Sequence, residues 1–183
     1  MSARLFLAVE VAEDDRQALH AWAQEVVGDD RGMRVVDPAQ MHLTLAFLGH
    51  RGLDEIEPLA ELVTAWEGRA APTLRTAGAL WLSPRRPHVL TVAVDDAGGG
   101  LGAVHDEVWS ALEELGHERE RRRYRPHLTV ARVRHGWTAP GTAPAPAPER
   151  ALRAEGLTLF RSWLGGGPAR YEALARAAFS GDS

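Results

Sequence analysis

The 183-residue chain is predicted to be an α+β protein whose strands pair mostly antiparallel. Its apolar patterns give the order strand, helix, strands, helix, strands, helix, strands, so helices and strands mix without strict alternation. Parallel βαβ proteins require that alternation, whereas runs of neighbouring strands favour antiparallel sheets. A chain of this length can bury about 70% of its unfolded surface, which is enough for a substantial core.

The individual elements follow from hydrophobic periodicity along the chain. Helices are expected where apolar residues recur every three or four positions, and strands where short apolar runs consist of residues that favour strands. The first helix has Leu19 and Ala23 on its apolar face, Asp14 or Asp15 as N-cap, and its end at the glycines of 28–32. The other helices are expected over 53–66 and 101–115, and the strands over 4–11, 33–36, 41–48, 73–82, 89–94, 125–133 and 152–164.

Three further segments have weaker patterns. Residues 171–177 fit a helix or a strand equally well. Residues 83–87, with the sequence Ser-Pro-Arg-Arg-Pro, are expected to form a turn between two strands. The Pro- and Ala-rich segment 138–148 is expected to be an extended loop that has no capacity to pack.

The composition excludes several kinds of chemistry. All 21 basic residues are arginine, and the chain contains no cysteine. Without lysine there is no P-loop lysine, no Schiff base and no lysine nucleophile that could carry a nucleotide. Without cysteine there is no disulfide, thiol nucleophile or thiolate metal ligand. A coding bias toward arginine and alanine explains this composition, but the exclusions hold whatever its cause.

The formal net charge of −4 conceals a strongly basic segment. Residues 119–134 contain seven arginines and one acidic residue, Glu120, so this segment carries +6 and the rest of the chain −10. Such a segment is either a solvated charged turn or a local binding site for a polyanion.

No apolar run in the sequence approaches the ~18 residues of a membrane span. The first ten residues contain one basic residue, and their longest apolar run, Leu5 to Val9, has only five residues before Glu10, which indicates a strand rather than a signal peptide. We therefore expect a cytoplasmic protein that does not bind a membrane.

Two short segments of the sequence are near copies of each other. They are His42-Leu43-Thr44-Leu45 and His127-Leu128-Thr129-Val130, and both lie in predicted strands. With eight histidines and nine threonines in the chain, fewer than one His-x-Thr pair is expected by chance. Because side chains alternate along a strand, each histidine shares a face with its threonine while the apolar residues face the core.

Two such strands facing each other would form a cleft with two imidazoles and two hydroxyls. A histidine pair suits general acid and general base catalysis near pH 7, and hydroxyl donors suit the non-bridging oxygens of a phosphate. A metal site is less favoured, since no carboxylate or third histidine lies at ligand spacing, and no Gly-x-Ser-x-Gly sequence indicates a serine hydrolase. The arginines around the second motif favour a phosphodiester substrate.

These motifs, 85 residues apart, resemble those of the 2H phosphoesterase superfamily. The similarity is closer to its RNA 2′,3′-cyclic phosphodiesterase branch, also called LigT-like or 2′-5′ RNA ligase-like. It extends over nearly the whole chain, through residues 4–9, 42–49, 83–87, 125–132 and 171–174.

The resemblance implies one bilobal domain over residues 1–183. Its two pseudo-symmetric lobes would each be an antiparallel sheet with helices on the outer face, and each would contribute one motif to a central cleft. The implied reaction is hydrolysis of an RNA-terminal 2′,3′-cyclic phosphate to a 2′-phosphate, without a metal ion or other cofactor. His42 would be the general acid for the departing O3′ and His127 the general base for water, while Thr44 and Thr129 would hold phosphate oxygens.

The resemblance also implies that Arg132 binds the phosphate and that Phe47 stacks on the terminal base. In a regular strand, however, a residue five positions past a histidine lies on the opposite face, so these two side chains reach the cleft only if the strands bulge or end. Arg125 shares a face with His127 in a regular strand and is therefore a candidate for substrate contact.

Other functions fit the same residues. A 2′-5′ phosphodiester or a small cyclic nucleotide could replace the RNA-terminal cyclic phosphate, and ATP-independent 2′-5′ ligation would be the reverse reaction. A non-catalytic module that binds RNA ends or nucleotides is a third possibility, although a pure binder would not need both histidines. We expect a monomer whose partners are RNA ends or nucleotides with a cyclic phosphate.

Overall fold

The computed structural model describes residues 1–82, 87–139, 144–163, 165 and 169–181. Within these residues the chain forms eight strands, three α-helices and two short 3-10 helices. The strands are β1 (Ser2–Val11), β2 (Met33–Val35), β3 (Leu43–Gly52), β4 (Thr73–Leu82), β5 (Val89–Asp95), β6 (His127–Val133), β7 (Ala151–Trp163) and β8 (Arg170–Ala178). The α-helices are α1 (Glu13–Val27), α2 (Ile56–Thr64) and α3 (Gly100–Glu114), and the 3-10 helices are Pro38–Gln40 and Leu53–Glu55.

The sheet is antiparallel throughout and divides into two four-stranded lobes. Its order is β1-β3-β6-β5-β4-β7-β8, β2 adds to the edge of β6, and a pairing of β1 with β7 closes six strands into a ring. The terminal lobe consists of β3, β1, β7 and β8, and the central lobe consists of β2, β6, β5 and β4. The α+β fold with two antiparallel lobes is therefore confirmed.

Two short pairings join the lobes. Near the motifs, β3 meets β6 through a single residue pair, Leu43 with Leu128. On the other side, Thr73–Arg75 of β4 pairs with residues 151–153 of β7. Because each lobe is held by extensive pairing while the junctions are short, the strands diverge from the Leu43–Leu128 pair and leave a cleft between them.

The helices cover the lobes through their apolar faces. Helix α1 packs on β2 and β6, α2 packs on β7 and β8, and α3 contacts β3 and β4. Leu101, Val108 and Leu112 of α3 are fully buried, and the indole of Trp109 donates a hydrogen bond of 3.2 Å to the carbonyl oxygen of Leu45. Helix α3 is thereby fixed to the strand that carries the first motif. None of the helices in the described ranges is long and apolar enough to cross a membrane.

Several sequence-based boundaries are corrected by the structure. The N-cap of α1 is Ala12, which has no side-chain cap, rather than Asp14 or Asp15. The expected helix over 53–66 begins as a 3-10 turn and ends as an α-helix at Thr64, and segment 171–177 lies in β8. His42 and Arg125 precede their strands instead of lying within them.

The described residues of the Pro-rich segment 138–148 pack against the fold, contrary to expectation. Prolines lack an amide donor but keep their carbonyl acceptors, and the fold uses those acceptors. The Trp22 indole donates to the carbonyl oxygen of Pro146 at 3.0 Å, and the Thr76 hydroxyl donates to that of Pro148 at 2.6 Å. Residues 140–143 of this segment and 83–86 of the expected turn lie outside the described residues.

Asp15 connects the start of α1 to the chain around β7. It is buried, it accepts a 2.6 Å hydrogen bond from the Arg150 guanidinium, and it accepts another of 2.8 Å from the Arg153 amide. We predict that Asp15→Ala lowers the free energy of unfolding by about 2–3 kcal/mol, because it leaves both donors without their acceptor. Urea denaturation measures this change.

The matched control is Asp14→Ala, at an exposed position in the same helical turn. It should change the free energy of unfolding by about 0.5 kcal/mol or less. Equal effects of the two substitutions would show that the buried contacts of Asp15 do not stabilise the fold.

Candidate active site

The cleft between the lobes contains all four motif side chains. Its cavity has a volume of about 370 Å³, at the small end of the range for small-molecule sites. The side chains from the sequence motifs that line it are His42, Thr44, His127, Thr129, Phe47 and Arg132. The structure thus brings six of the seven predicted site residues together.

The Leu43–Leu128 pair determines how the two motifs face each other. In the antiparallel register of this pair, His42 falls opposite Thr129 and Thr44 falls opposite His127. Both leucines are fully buried, so the alternating residues on either side of them face the cleft. Each imidazole therefore lies across from the hydroxyl of the other motif.

A β-bulge in β3 turns Phe47 toward the cleft. Thr44 pairs with Ala8 of β1, but Ala46 pairs with the preceding residue, Leu7, so Leu45 is an extra residue. Leu45 and Ala46 are consecutive and both buried, which a regular strand with one buried face does not allow. The extra residue reverses the alternation and places Phe47 on the face of His42.

The strand of the second motif, β6, contains a β-bulge at the equivalent position. Thr129 pairs with Thr91 of β5, whereas Ala131 pairs with Leu90, so Val130 is the extra residue of β6. Val130 and Ala131 are again consecutive and buried. Arg132 consequently shares the face of His127, and the expectation from regular strands that positions five past each histidine miss the cleft is wrong for both.

Three aromatic side chains surround the His42 imidazole. Phe6 stacks on it with ring centroids 4.9 Å apart, Tyr171 meets it edge-on at 5.3 Å, and Phe160 lies at 5.8 Å. Phe6 and Phe160 are themselves buried and stack on each other at 5.1 Å. This apolar surrounding fixes the orientation of the ring.

The same surrounding disfavours a charge on His42. Burial lowers the pKa of His42 to about 4, the backbone carbonyl of Gln40 opposes this shift, and the positive charge of Arg132, together with that of His127 when its ring is protonated, adds to it. At neutral pH, His42 is therefore uncharged in the free protein.

His127 is oriented by the backbone instead. Its Nδ1 lies 2.8 Å from the carbonyl oxygen of Arg125, and because that oxygen can only accept, Nδ1 carries the proton. This leaves Nε2 as the nitrogen of His127 that can accept a proton. Arg125 contributes this carbonyl, but its side chain is exposed and is not part of the cleft lining.

Sequence reasoning missed several residues of the cleft wall. Arg4, Phe6 and Tyr171 line it and lie in segments that carry the family resemblance, but no motif assigned them a role. Arg34 lines it as well, and no sequence feature pointed to it, because its place depends on the pairing of β2 with β6.

Another part of the surface is a candidate site because of its size. A wider depression of about 710 Å³ lies beside Asp15 and Arg150, whose charges are paired with each other at 2.6 Å. Among the described residues, no group of three or more histidine, aspartate or glutamate side chains is placed to hold a metal ion.

Comparisons with known proteins identify the family of the chain. The family model described as the 2′-5′ RNA ligase superfamily matches residues 14–161. A relative from Thermus thermophilus named RNA 2′,3′-cyclic phosphodiesterase is 33% identical over 172 residues, which cover 88% of this chain and 82% of the relative.

Solved structures give the same result. TT0787 of Thermus thermophilus has a TM-score of 0.83 and 30% identity, with coverage of 98% of this chain and all of that chain. E. coli LigT complexed with 3′-AMP has a TM-score of 0.72 and 25% identity, with coverage of 99% and 100%.

The lowered pKa of His42 makes stability depend on pH. Between pH 6.5 and about 4 the unfolded chain binds a proton at His42 that the folded protein excludes, so stability falls as the pH falls through this range. We predict that lowering the pH from 7 to 4.5 costs the wild type roughly 2–3 kcal/mol more than it costs His42→Gln. Urea denaturation at both pH values, in a buffer without phosphate or sulfate, measures the difference.

His50→Gln is the matched control, since His50 lies on the same strand with an exposed side chain. It should retain the pH dependence of the wild type. If His42→Gln and the wild type lose the same stability on acidification, His42 is not held neutral by burial.

Proposed function

The chain belongs to the 2′-5′ RNA ligase superfamily, and from this membership and the cleft we propose that it hydrolyses RNA-terminal 2′,3′-cyclic phosphates to 2′-phosphates. The observation that carries the proposal is the placement of two imidazoles and two hydroxyls around one small cavity. The Thermus thermophilus relative bears the name of this activity, and E. coli LigT binds a nucleotide with a 3′-phosphate.

The chemistry of the cleft suits in-line displacement at phosphorus. One imidazole removes a proton from the attacking water while the other protonates the departing ribose oxygen. The hydroxyls of Thr44 and Thr129 lie on the same face and donate hydrogen bonds to the non-bridging oxygens, whose charge grows as water attacks. A histidine pair can perform both proton transfers, so we propose that the reaction needs no metal ion.

We propose that His42 is the general acid and His127 the general base. The unprotonated Nε2 of His127 can accept a proton from water because Nδ1 is held by the Arg125 carbonyl. His42 is neutral in the free protein, so in this role it takes up its proton together with the anionic substrate. A phosphodiester beside the ring favours the charged imidazolium and opposes the effect of burial.

Two further residues complete the proposed substrate site. Arg132 lines the cleft on the face of His127 and supplies a guanidinium for the phosphate. Phe47 is 57% exposed and lies at the cleft, only 5.9 Å from the ring centroid of Phe6. An exposed aromatic ring beside a phosphate site can stack on the terminal base.

The superfamily description also names ligation. A ligase with a lysyl-nucleotide intermediate is impossible for a chain without lysine. Any joining activity would be ATP-independent attack of a ribose hydroxyl on the cyclic phosphate, which is the reverse of 2′-5′ bond cleavage at the same histidines. A monomeric state and a cytoplasmic location stay predictions.

The proposal predicts large losses on removal of either imidazole. His42→Ala and His127→Ala should each lower kcat/KM for an RNA 2′,3′-cyclic phosphate by about 10²–10⁴-fold, the usual contribution of a general acid or base. Product formation is followed by chromatography, with and without EDTA. His50→Ala should retain wild-type activity, and full activity in either cleft variant would refute the mechanism.

A substrate with sulfur in place of O3′ separates the two roles. A thiolate departs without protonation, so loss of the general acid matters much less for this substrate than loss of the general base. On the sulfur-containing substrate, His42→Ala should therefore be nearly as active as the wild type, whereas His127→Ala should remain strongly impaired. Recovery in His127→Ala instead would exchange the two assignments.

A further inference from the structure

Two arginines face each other in the wall of the cleft. Arg34 of β2 is paired in register with Arg132 of β6, and residues directly opposite in an antiparallel pair lie on the same face of the sheet. Both side chains line the cavity that contains the histidines. Their Cβ atoms are thus separated by only about 5 Å.

This arrangement of two like charges is unfavourable on its own. Like charges opposite each other destabilise a sheet, and neither guanidinium has an ion pair or hydrogen bond with any described residue. The described part of the cavity wall contains three arginines and two histidines but no aspartate or glutamate. A site with this charge is complementary to a ligand with more than one negative group.

The proposed function supplies one negative charge at the reacting phosphate. That phosphate has two imidazoles, two hydroxyls and Arg132 available to it, so Arg34 is in excess of what a single phosphodiester requires. The next anionic group of an RNA end is the phosphate on the 5′ side of the terminal nucleoside. Arg34 stands one strand farther from His127 than Arg132 does, since β2 lies outside β6 at this point.

We propose that Arg34 binds the phosphate on the 5′ side of the terminal nucleotide, and that the cleft thereby distinguishes a nucleotide with a 5′-phosphate, such as the last residue of an RNA strand, from one with a free 5′-hydroxyl. This inference rests on the proposed function for the position of the reacting phosphate. Arginine suits the task because its planar guanidinium can donate two parallel hydrogen bonds to a phosphate.

Binding measurements test this inference without turnover. Isothermal titration calorimetry compares adenosine 3′-monophosphate with adenosine 3′,5′-bisphosphate, which differ only in the 5′-phosphate. The wild type should bind the bisphosphate about tenfold more tightly, as expected for charged hydrogen bonds to one phosphate. In Arg34→Gln this preference should disappear while the affinity for the monophosphate stays within about twofold, and Arg34→Lys should retain part of the preference.

Arg4→Gln is the matched control. Arg4 also lines the cavity, but it belongs to the terminal lobe, where its partners in the sheet are His50 of β3 and Ser162 of β7. This variant should keep the preference for the bisphosphate. If Arg4→Gln loses the preference for the bisphosphate as fully as Arg34→Gln does, the preference depends only on the net charge of the cleft. That result would overturn the assignment to Arg34.

Two other results would also overturn it: a wild type with no preference, or a preference that persists in Arg34→Gln, whether or not both affinities fall. Arg34→Gln should unfold at the same or a higher urea concentration, since it removes a like-charge pair, so a structural effect is detected separately. The two proposals can fail separately. If the wild type does not hydrolyse a cyclic phosphate but Arg34→Gln still abolishes the preference for the bisphosphate, the proposed function is refuted and the second phosphate site is supported.

Discussion

The contact of Leu43 with Leu128 is the constraint on which the candidate site depends. It is the one residue pair by which β3 and β6 meet in the described structure, and both leucines are fully buried. Each leucine lies between the histidine and the threonine of its own motif. Burial of the two leucines therefore directs four polar side chains to the same cleft, and the register of the pair sets each histidine opposite a threonine.

The bulges extend this site beyond the two motifs. In each strand the extra residue follows the threonine, and the two consecutive buried residues that result pack into the core. Without the bulges, Phe47 and Arg132 would lie on the core side of their strands, where a large exposed ring and a guanidinium could not be accommodated. The two lobes thus use one local irregularity to add an exposed aromatic ring on one side and a guanidinium on the other.

The sequence predicts the motif residues well because their spacing and their chemistry agree. His-x-Thr in an apolar strand predicts one polar face, and its repetition predicts a cleft. The bulges could not be predicted, since a doublet such as Leu45-Ala46 is compatible with a regular strand until its partner strand is known. Arg34 was missed for the same reason, because its meeting with Arg132 depends on residues nearly 100 positions apart. The packing of residues 144–148 was missed because it is made by carbonyl oxygens, which composition does not reveal.

The electrostatic character of the cleft follows from these placements. His42 is kept neutral by the aromatic rings around it, while Arg4, Arg34 and Arg132 leave the cavity positive and ready for an anion. The central claim is that this cavity opens a cyclic phosphate by releasing O3′. ³¹P NMR of the wild-type product from an RNA ending in a 2′,3′-cyclic phosphate tests it most directly. The account predicts a 2′-phosphate alone, and a 3′-phosphate, or an RNA that binds but stays cyclic, would contradict it.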